Sequence, residues 1–332
     1  MDHPRITRID EHDPRVIAAA EAERRLFAHF GLQYRTHYVD LKEPAMRVRV
    51  LEVGSGKPLL MVAGGSGDAW MLAALMAHLK GYHLIAVNRP GAGMSDGIDH
   101  QDVDLRRFAV HTLSTVLDAF GLQRVPVIAG SMGGLWSFWL ALDHPERVAT
   151  LVQLGCPALL LDTSAPFFMR LISVPGLGRL LVRALQPRRL DTALAGLRNM
   201  GTRQTVIDAL PPVFGEATYH FFHLPTYLDT WRTLLRTVMT PRGAKPRFRL
   251  DADQLRGVQQ PVLLIWGDHD PFGKLDVARQ AATILPNARL HALDAGHLPF
   301  VDDPAECGRA IRSFLPARSG AGRSRLGWLI RR

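Results

Sequence analysis

Ser131 sits in the stretch Val125-Pro-Val-Ile-Ala-Gly-Ser-Met-Gly-Gly134, which runs into Leu135-Trp-Ser-Phe-Trp-Leu-Ala-Leu142. The apolar, β-branched residues before the serine read as a short buried strand, and the segment after Gly133 reads as a helix. A strand that passes directly into a helix must bend within about two residues, which strains the corner residue and demands small neighbours at Ala129 and Gly133. The serine is then held above the sheet at the positive end of the following helix, where a nucleophile gains most. A Gly-x-Ser-x-Gly pattern alone occurs in many loops. A serine nucleophile also needs a base within hydrogen-bond reach, an acid to orient that base, and donors for an oxyanion. Two downstream stretches offer base and acid: Trp266-Gly-Asp-His-Asp-Pro271 and Asp294-Ala-Gly-His-Leu-Pro-Phe300, each following an apolar strand. Side chains from different strands of a parallel sheet converge at such carboxyl-terminal tips. On residue types alone, Asp268 and Asp270 compete for the acid, and His269 and His297 for the base.

These groups need a scaffold. Arg15–Phe30 reads as a leading helix, and two strands follow, Tyr34–Leu41 and Met46–Val53, with Arg47 and Arg49 alternating with Val48 and Val50 as in a half-exposed hairpin. Pro58–Ala63 is an apolar strand ending in Gly64-Gly-Ser-Gly67, after which Asp68 is placed to cap a helix through Lys80. His83–Val87, the helix Asp104–Phe120, the elbow strand, the helix Gly133–Asp143 and the strand Val148–Leu154 continue an alternation that implies a mainly parallel sheet. The pattern breaks at Cys156-Pro157, and residues 158–250 read as helical pieces without clear strands: an inserted helical cap. Pro261–Trp266, Lys274–Leu285, Ala288–Leu293 and Pro304–Leu315 resume the alternation. The expected division is an N-terminal helical extension (1–33), a core in two parts (34–157 and 251–315), the cap (158–250) and a basic tail (316–332).

Composition bounds the rest. Of 332 residues, 47% are apolar, enough for a sizeable core. The start lacks the apolar core of a secretory signal, no run approaches the ~20 apolar residues that span a bilayer, and two cysteines make no disulfide framework. A soluble, cytoplasmic protein is expected. The net charge of +9 is uneven: residues 158–250 hold thirteen Arg or Lys against five acids, and the tail holds five Arg and no acid. No aromatic-interleaved nucleic-acid motif accompanies them. The tail's Trp-Leu-Ile cluster beside arginines has the makings of a contact with an anionic membrane, but its shortness and glycine favour a solvated extension.

The order Ser131, an Asp near 270, then His297 resembles that of the α/β-hydrolase superfamily, over residues 34–157 and 258–315. Asn88-Arg-Pro-Gly-Ala-Gly-Met-Ser95, His144-Pro-Glu-Arg-Val148, Gly267-Asp-His-Asp-Pro271 and Gly296-His297 carry the resemblance together with the elbow. It implies a mainly parallel eight-stranded sheet flanked by helices. It also implies Ser131 as nucleophile, His297 as base and, through Gly-x-x-Asp-Pro, Asp270 as acid, with Asp268 turning the loop. The family's oxyanion donors fall on the amides of Met132 and Gly65. Ala63 stands where the family usually has histidine, which removes a side chain that braces this loop. Asn88, where many relatives have Asp, is read as structural. His269, His220 and His223 are read as bystanders, the last two lining the cap.

Ser131 at the elbow argues against dehalogenases and epoxide hydrolases of this fold, which use Asp there. Leu298-Pro299 after the histidine demotes the carbon–carbon hydrolases, which often have Trp. The expected activity is hydrolysis of an ester or related acyl bond in a small apolar substrate, with no metal or organic cofactor. A carbon–carbon hydrolase is the enzyme alternative, and a non-catalytic protein holding a small ligand is the alternative of another class. Phe167, Phe168, Met169, Phe214, Tyr219, Phe221, Phe222, Tyr227 and Trp231 give the cap its packing and, for some of them, a pocket lining. Its basic charge is compatible with an anionic substrate, although arginines on helical surfaces are usually just solvated.

Overall fold

The computed structural model describes residues 4–65 and 68–315. The basic tail, with the membrane contact weighed for it, lies outside the described residues, as do Ser66 and Gly67 of the glycine-rich loop. Eight strands form the main sheet: β1 (Tyr34–Lys42), β2 (Ala45–Gly54), β3 (Lys57–Val62), β4 (Tyr82–Val87), β5 (Val125–Gly130), β6 (Val148–Leu154), β7 (Val262–Gly267) and β8 (Ala288–Leu293). Their order across the sheet is β8-β7-β6-β5-β3-β4-β2-β1. β2 pairs antiparallel with β1 and β4, and every other pairing is parallel.

Central parallel strands are covered on both faces, so they read as unbroken apolar runs. Leu59, Leu60, Met61 and Val62 of β3 are all fully buried. The register sets Val62 opposite Ala129 and Gly130 opposite Leu154, so β3, β5 and β6 end at one level. On one face lie α2 (Leu105–Ala119, capped by Asp104) and α3 (Ser131–Asp143), with Trp136, Phe138 and Trp139 in the core. The N-terminal helix α1 (Pro14–His29), capped by Asp13, packs on the other face.

Two local expectations change. The β1–β2 hairpin is less exposed than its alternation suggests, because α1 covers it. Arg49 is buried and bound to the equally buried Glu23 carboxylate at 2.6 and 3.0 Å. Instead of one helix from Asp68 to Lys80, a 3₁₀ turn (Ala69–Leu72) leads into a short helix (Ala73–Ala77), and Asp68 makes no capping bond. Its carboxylate is buried and accepts from the Trp70 indole at 3.3 Å. Burial pushes its pKa up to about 7, against the pull of the Trp70 bond and the Arg89 charge. The folded state therefore holds a proton that the unfolded chain, at 3.8, has released, so stability falls as pH rises from about 4 to about 7. Asp68→Asn removes that loss. Its stability relative to wild type should improve between about pH 4 and pH 8 by a few kcal/mol, on the order of 1.4 per pKa unit. Melting curves at both pH values check this, and a pH-independent difference would contradict it.

Between β6 and β7 the chain forms a helical insertion: α4 (Phe167–Ile172), α5 (Leu177–Leu185), a long 3₁₀ segment (Leu190–Met200), α6 (Gln204–Ala209), α7 (Pro212–Phe222) and α8 (Tyr227–Val238). A two-residue antiparallel ribbon, Met239–Thr240 with Gly243–Ala244, closes it, a feature too short to show as a strand in sequence. Arg25 of α1 pairs with Glu216 of α7 at 2.8 Å, tying the insertion to the N-terminal helix. Helices α9 (Leu275–Ile284) and α10 (Pro304–Phe314) complete the core. No helix among the described residues is long and apolar enough to cross a membrane.

Candidate active site

Gly130 ends β5 and Ser131 begins α3 with no loop between them, so the helix starts two residues earlier than the pattern suggests. Ser131 takes φ +48°, a left-handed conformation that costs a non-glycine residue about 1–3 kcal/mol. Small neighbours are required, for a reason that lies on other strands. A Cβ on Gly133 would sit 2.3 Å from the Val62 carbonyl oxygen and 2.4 Å from that of Ala63, and one on Gly134 would sit 2.1 Å from Gln153 Oε1. The helix can approach β3 and β6 this closely only with glycine there. The Met132 N–H lies in the first turn of α3 and so has no acceptor within the helix.

Asp270 follows β7 and His297 follows β8, and the structure brings them together in the interior, 2% and 3% exposed. His297 Nδ1 lies 3.0 and 2.9 Å from the two Asp270 oxygens. The carboxylate also accepts from the Cys156 N–H and the Phe272 N–H, each at 2.8 Å. A carboxylate held by these backbone donors fixes the imidazole's orientation and favours its proton on Nδ1. Nε2 is buried with no hydrogen-bond partner among the described residues, and His297 lines the same cavity as Ser131. Phe272 stacks on the imidazole, ring centroids 4.0 Å apart.

The histidine's loop is clamped from three sides. Its N–H donates to the Met200 carbonyl of the insertion at 2.7 Å, and the neighbouring Gly296 N–H donates to Asp302 at 2.8 Å. Gly155 (φ +66°) lies beneath: a Cβ there would meet the His297 carbonyl oxygen at 2.3 Å and Asp270 Oδ2 at 3.4 Å. Gly155→Ala should therefore displace the His297 loop, costing ~1–3 kcal/mol of stability together with most of the activity. A melting curve and a turnover assay on the same preparation check it, and an active, equally stable variant would contradict it.

Gly64 and Gly65 face the elbow across the cavity. A Cβ on Gly64 would lie 3.0 Å from Ser131 Cβ, and one on Gly65 would lie 3.8 Å from Met132 Cβ. The loop is braced even though Ala63 stands where the resemblance expects histidine. Arg89, 2% exposed, donates from Nε to the Ala63 carbonyl at 3.1 Å and from Nη2 to the Gly64 carbonyl. Its guanidinium lies over Trp136 at 5.1 Å. Desolvation pulls its pKa down to about 10, so it stays charged near neutrality. A trans peptide sets C=O and N–H on opposite sides, so an arginine holding the Gly64 carbonyl fixes the direction of the Gly65 N–H away from itself. Arg89 lies inside the quoted Asn88–Ser95 stretch, yet nothing in its spacing signals this grip. Asn88 has a structural contact of its own, accepting from the Ala69 N–H at 2.9 Å.

The other candidates fall outside this arrangement. His269 is exposed beside Asp268 and Asp294, and Asp268 accepts from the Ala295 N–H at 3.3 Å as part of the loop turn. His220 and His223 lie on and just after α7 but do not line the cavity. His223 Nδ1 instead meets the Tyr219 carbonyl. Burial and the Asp270 charge push the Cys156 thiol well above its ordinary range, so it is a poor competing nucleophile. The cavity, of about 180 Å³, is walled by the insertion on one side and, on the other, by the loops after β3 and β8 and the start of α3. Phe168, Met169, Phe221, Phe222, Tyr227 and Trp231 line it, whereas Phe214 is buried against Trp70. No Lys, Arg, Asp or Glu among the described residues lines it.

Comparison with known proteins places this geometry. The alpha/beta hydrolase fold family model matches residues 57–304. A 2-hydroxy-6-oxononadienedioate/2-hydroxy-6-oxononatrienedioate hydrolase of Paraburkholderia phymatum is 30% identical over 297 residues, covering 84% of this chain and 94% of that protein. Epoxide hydrolase 4 of Mus musculus is 24% identical over 300 residues, covering 84% and 79%. The crystal structure of naproxen esterase (carboxylesterase NP) from Bacillus subtilis superposes with a TM-score of 0.69 at 17% identity, covering 92% of this chain and 100% of that one. With a serine at the β5–α3 corner, the sheet order of that fold and a family match across both halves of the core, the chain belongs to the α/β-hydrolase family.

Proposed function

We propose that the protein is a serine hydrolase that cleaves an ester or related acyl bond of a small, largely apolar substrate through an acyl-enzyme at Ser131. The observation that carries this reading is the cavity: Ser131 and the unpartnered Nε2 of His297 share it, and its described walls hold no Lys, Arg, Asp or Glu. In the proposed cycle, Ser131 Oγ attacks the substrate carbonyl while His297 Nε2 takes the hydroxyl proton, and Asp270 stabilises the resulting imidazolium. The carbonyl oxygen becomes an oxyanion held by the amides of Met132 and Gly65. Collapse of the intermediate breaks the bond to the leaving alcohol, which receives the proton from His297. Water then attacks the acyl carbonyl, giving a proton to His297, which passes it to Ser131 Oγ as the acyl–serine bond breaks and the acid leaves. The insertion acts as a cap that shapes the acyl site.

A carbon–carbon hydrolase is the second reading, favoured by the name of the 30%-identical relative. That name specifies a dioate, a substrate with two carboxylates, which a protein buries only with cationic or multiple hydrogen-bonding partners. The thirteen basic residues of the insertion lie outside the described cavity lining, so the ester reading is preferred. The test compares kcat/KM for a series of p-nitrophenyl esters of increasing acyl length with that for a 2-hydroxy-6-oxo-dienoate. Rising values along the ester series with no turnover of the dienoate support the ester reading, and the converse overturns it.

A further inference from the structure

Among the described residues, six large apolar side chains are exposed, and five of them fall between residues 167 and 190: Phe167 (61%), Leu177 (42%), Leu180 (66%), Leu185 (40%) and Leu190 (49%). Singly exposed apolar residues are ordinary, but four on the one α4–α5 hairpin, with Leu190 just beyond it, are not. Helix α5 shows why they gather. At 100° per residue, Leu177, Leu180 and Ala184 share one face, roughly opposite Gly178 and Val182, which point into the insertion, and Arg179 and Arg183 lie along one flank between the two. A Cβ on Gly178 would sit 2.0 Å from the Ile172 carbonyl oxygen, so α5 is pressed against the end of α4 and cannot roll to bury its leucines. Phe167, at the start of α4, extends the apolar set, and Arg170 lies over its ring at 5.3 Å.

Residues 163–190 carry five arginines and no acid: Arg170, Arg179, Arg183, Arg188 and Arg189. Arg189 is paired with Asp191, and Arg170 donates to the Pro241 carbonyl. Arg179, Arg183 and Arg188 have no ion pair among the described residues and are exposed. An apolar face flanked by unpaired arginines is complementary to an anionic bilayer surface, where rings and leucines enter the headgroup boundary and guanidinium groups meet phosphates. A second copy of the chain would bring the same arginines face to face. The hairpin also borders the cavity: Leu185, 40% exposed, and Phe168 and Met169, next to Phe167, line it.

We propose that the α4–α5 hairpin docks on an anionic phospholipid surface and turns the cavity entrance toward it, so that the natural substrate is an acyl ester partitioned into lipid. The docking surface stands on this geometry alone, while the substrate class rests on the serine hydrolase reading above.

The test is sedimentation of the full chain with vesicles of phosphatidylcholine, with and without phosphatidylglycerol, alongside turnover of a soluble short-chain ester. Wild type should bind the phosphatidylglycerol vesicles and release as salt rises. The double variants Phe167→Ser/Leu180→Ser and Arg179→Gln/Arg183→Gln should each weaken binding by ~10-fold or more, since one basic residue near the surface is worth about a fivefold change. Both should keep wild-type turnover of the soluble ester and lose turnover of the same acyl chain presented in anionic vesicles. No binding at low salt, binding that both variants retain, or a wild-type dimer in solution that Phe167→Ser/Leu180→Ser converts to monomer would each overturn the proposal. Failure of the hydrolase reading shows separately, as absence of soluble-ester turnover.

Discussion

Ser131→Ala is expected to lower ester turnover by ~10⁴-fold or more, with the protein still folded. The Cβ stays, so the strained backbone at φ +48° and its packing against Gly64 are kept, and only the attacking oxygen is lost. Ser131→Gly should be equally inactive and yet more stable. Glycine tolerates this φ freely, which relieves ~1–3 kcal/mol of strain and offsets its greater entropy loss on folding, ~0.5–1 kcal/mol. A glycine variant with a raised melting temperature and no turnover would show that the corner is kept strained for chemistry. Residual turnover within ~10-fold of wild type in either variant would remove Ser131 from the reaction.

Arg89→Met carries the second large effect. The side chain does not itself line the cavity. Its influence runs through the Ala63 and Gly64 carbonyls, and through them to the Gly65 N–H. Releasing that peptide should cost one oxyanion donor, ~10²–10³ in kcat, with KM close to wild type because the donor acts mainly on the charge formed in the transition state. Arg89→Lys keeps the charge but cannot span two carbonyls, so it should recover only part of the loss. A folded Arg89→Met enzyme with unchanged kcat would show that the loop holds its geometry unaided. A change confined to KM would place Arg89 in ground-state binding instead.

Where the protein's plan is written in local pattern, it is legible in sequence. The elbow shows because a buried strand and an apolar helix meet across a single Gly-Ser step, and the strand tips show because each apolar run ends in glycine and a chemical side chain. The triad candidates Ser131, Asp270 and His297 come from three separate strand ends, and only their order along the chain links them before the sheet order is known. What stays hidden is set by contacts that no spacing encodes. The Arg89 grip joins the end of β4 to the end of β3 through backbone oxygens, which carry no residue signature. Arg49 reads as solvent-facing on β2, and only the packing of α1 brings Glu23 over it. Phe272 looks like any loop apolar residue until the chain turns its ring onto His297. The insertion is least legible because its helices are short and broken by glycine and proline, so which leucines face inward is decided by close approaches such as Gly178 against Ile172.

The most direct test of the central claim is labelling with a fluorophosphonate, followed by mass mapping of the adduct in wild type, Ser131→Ala and His297→Ala. A single phosphonyl adduct on the peptide carrying Ser131, absent from both variants, is the predicted result. A folded wild type that takes up neither this probe nor a smaller one, or an adduct that maps elsewhere and persists in Ser131→Ala, would contradict it.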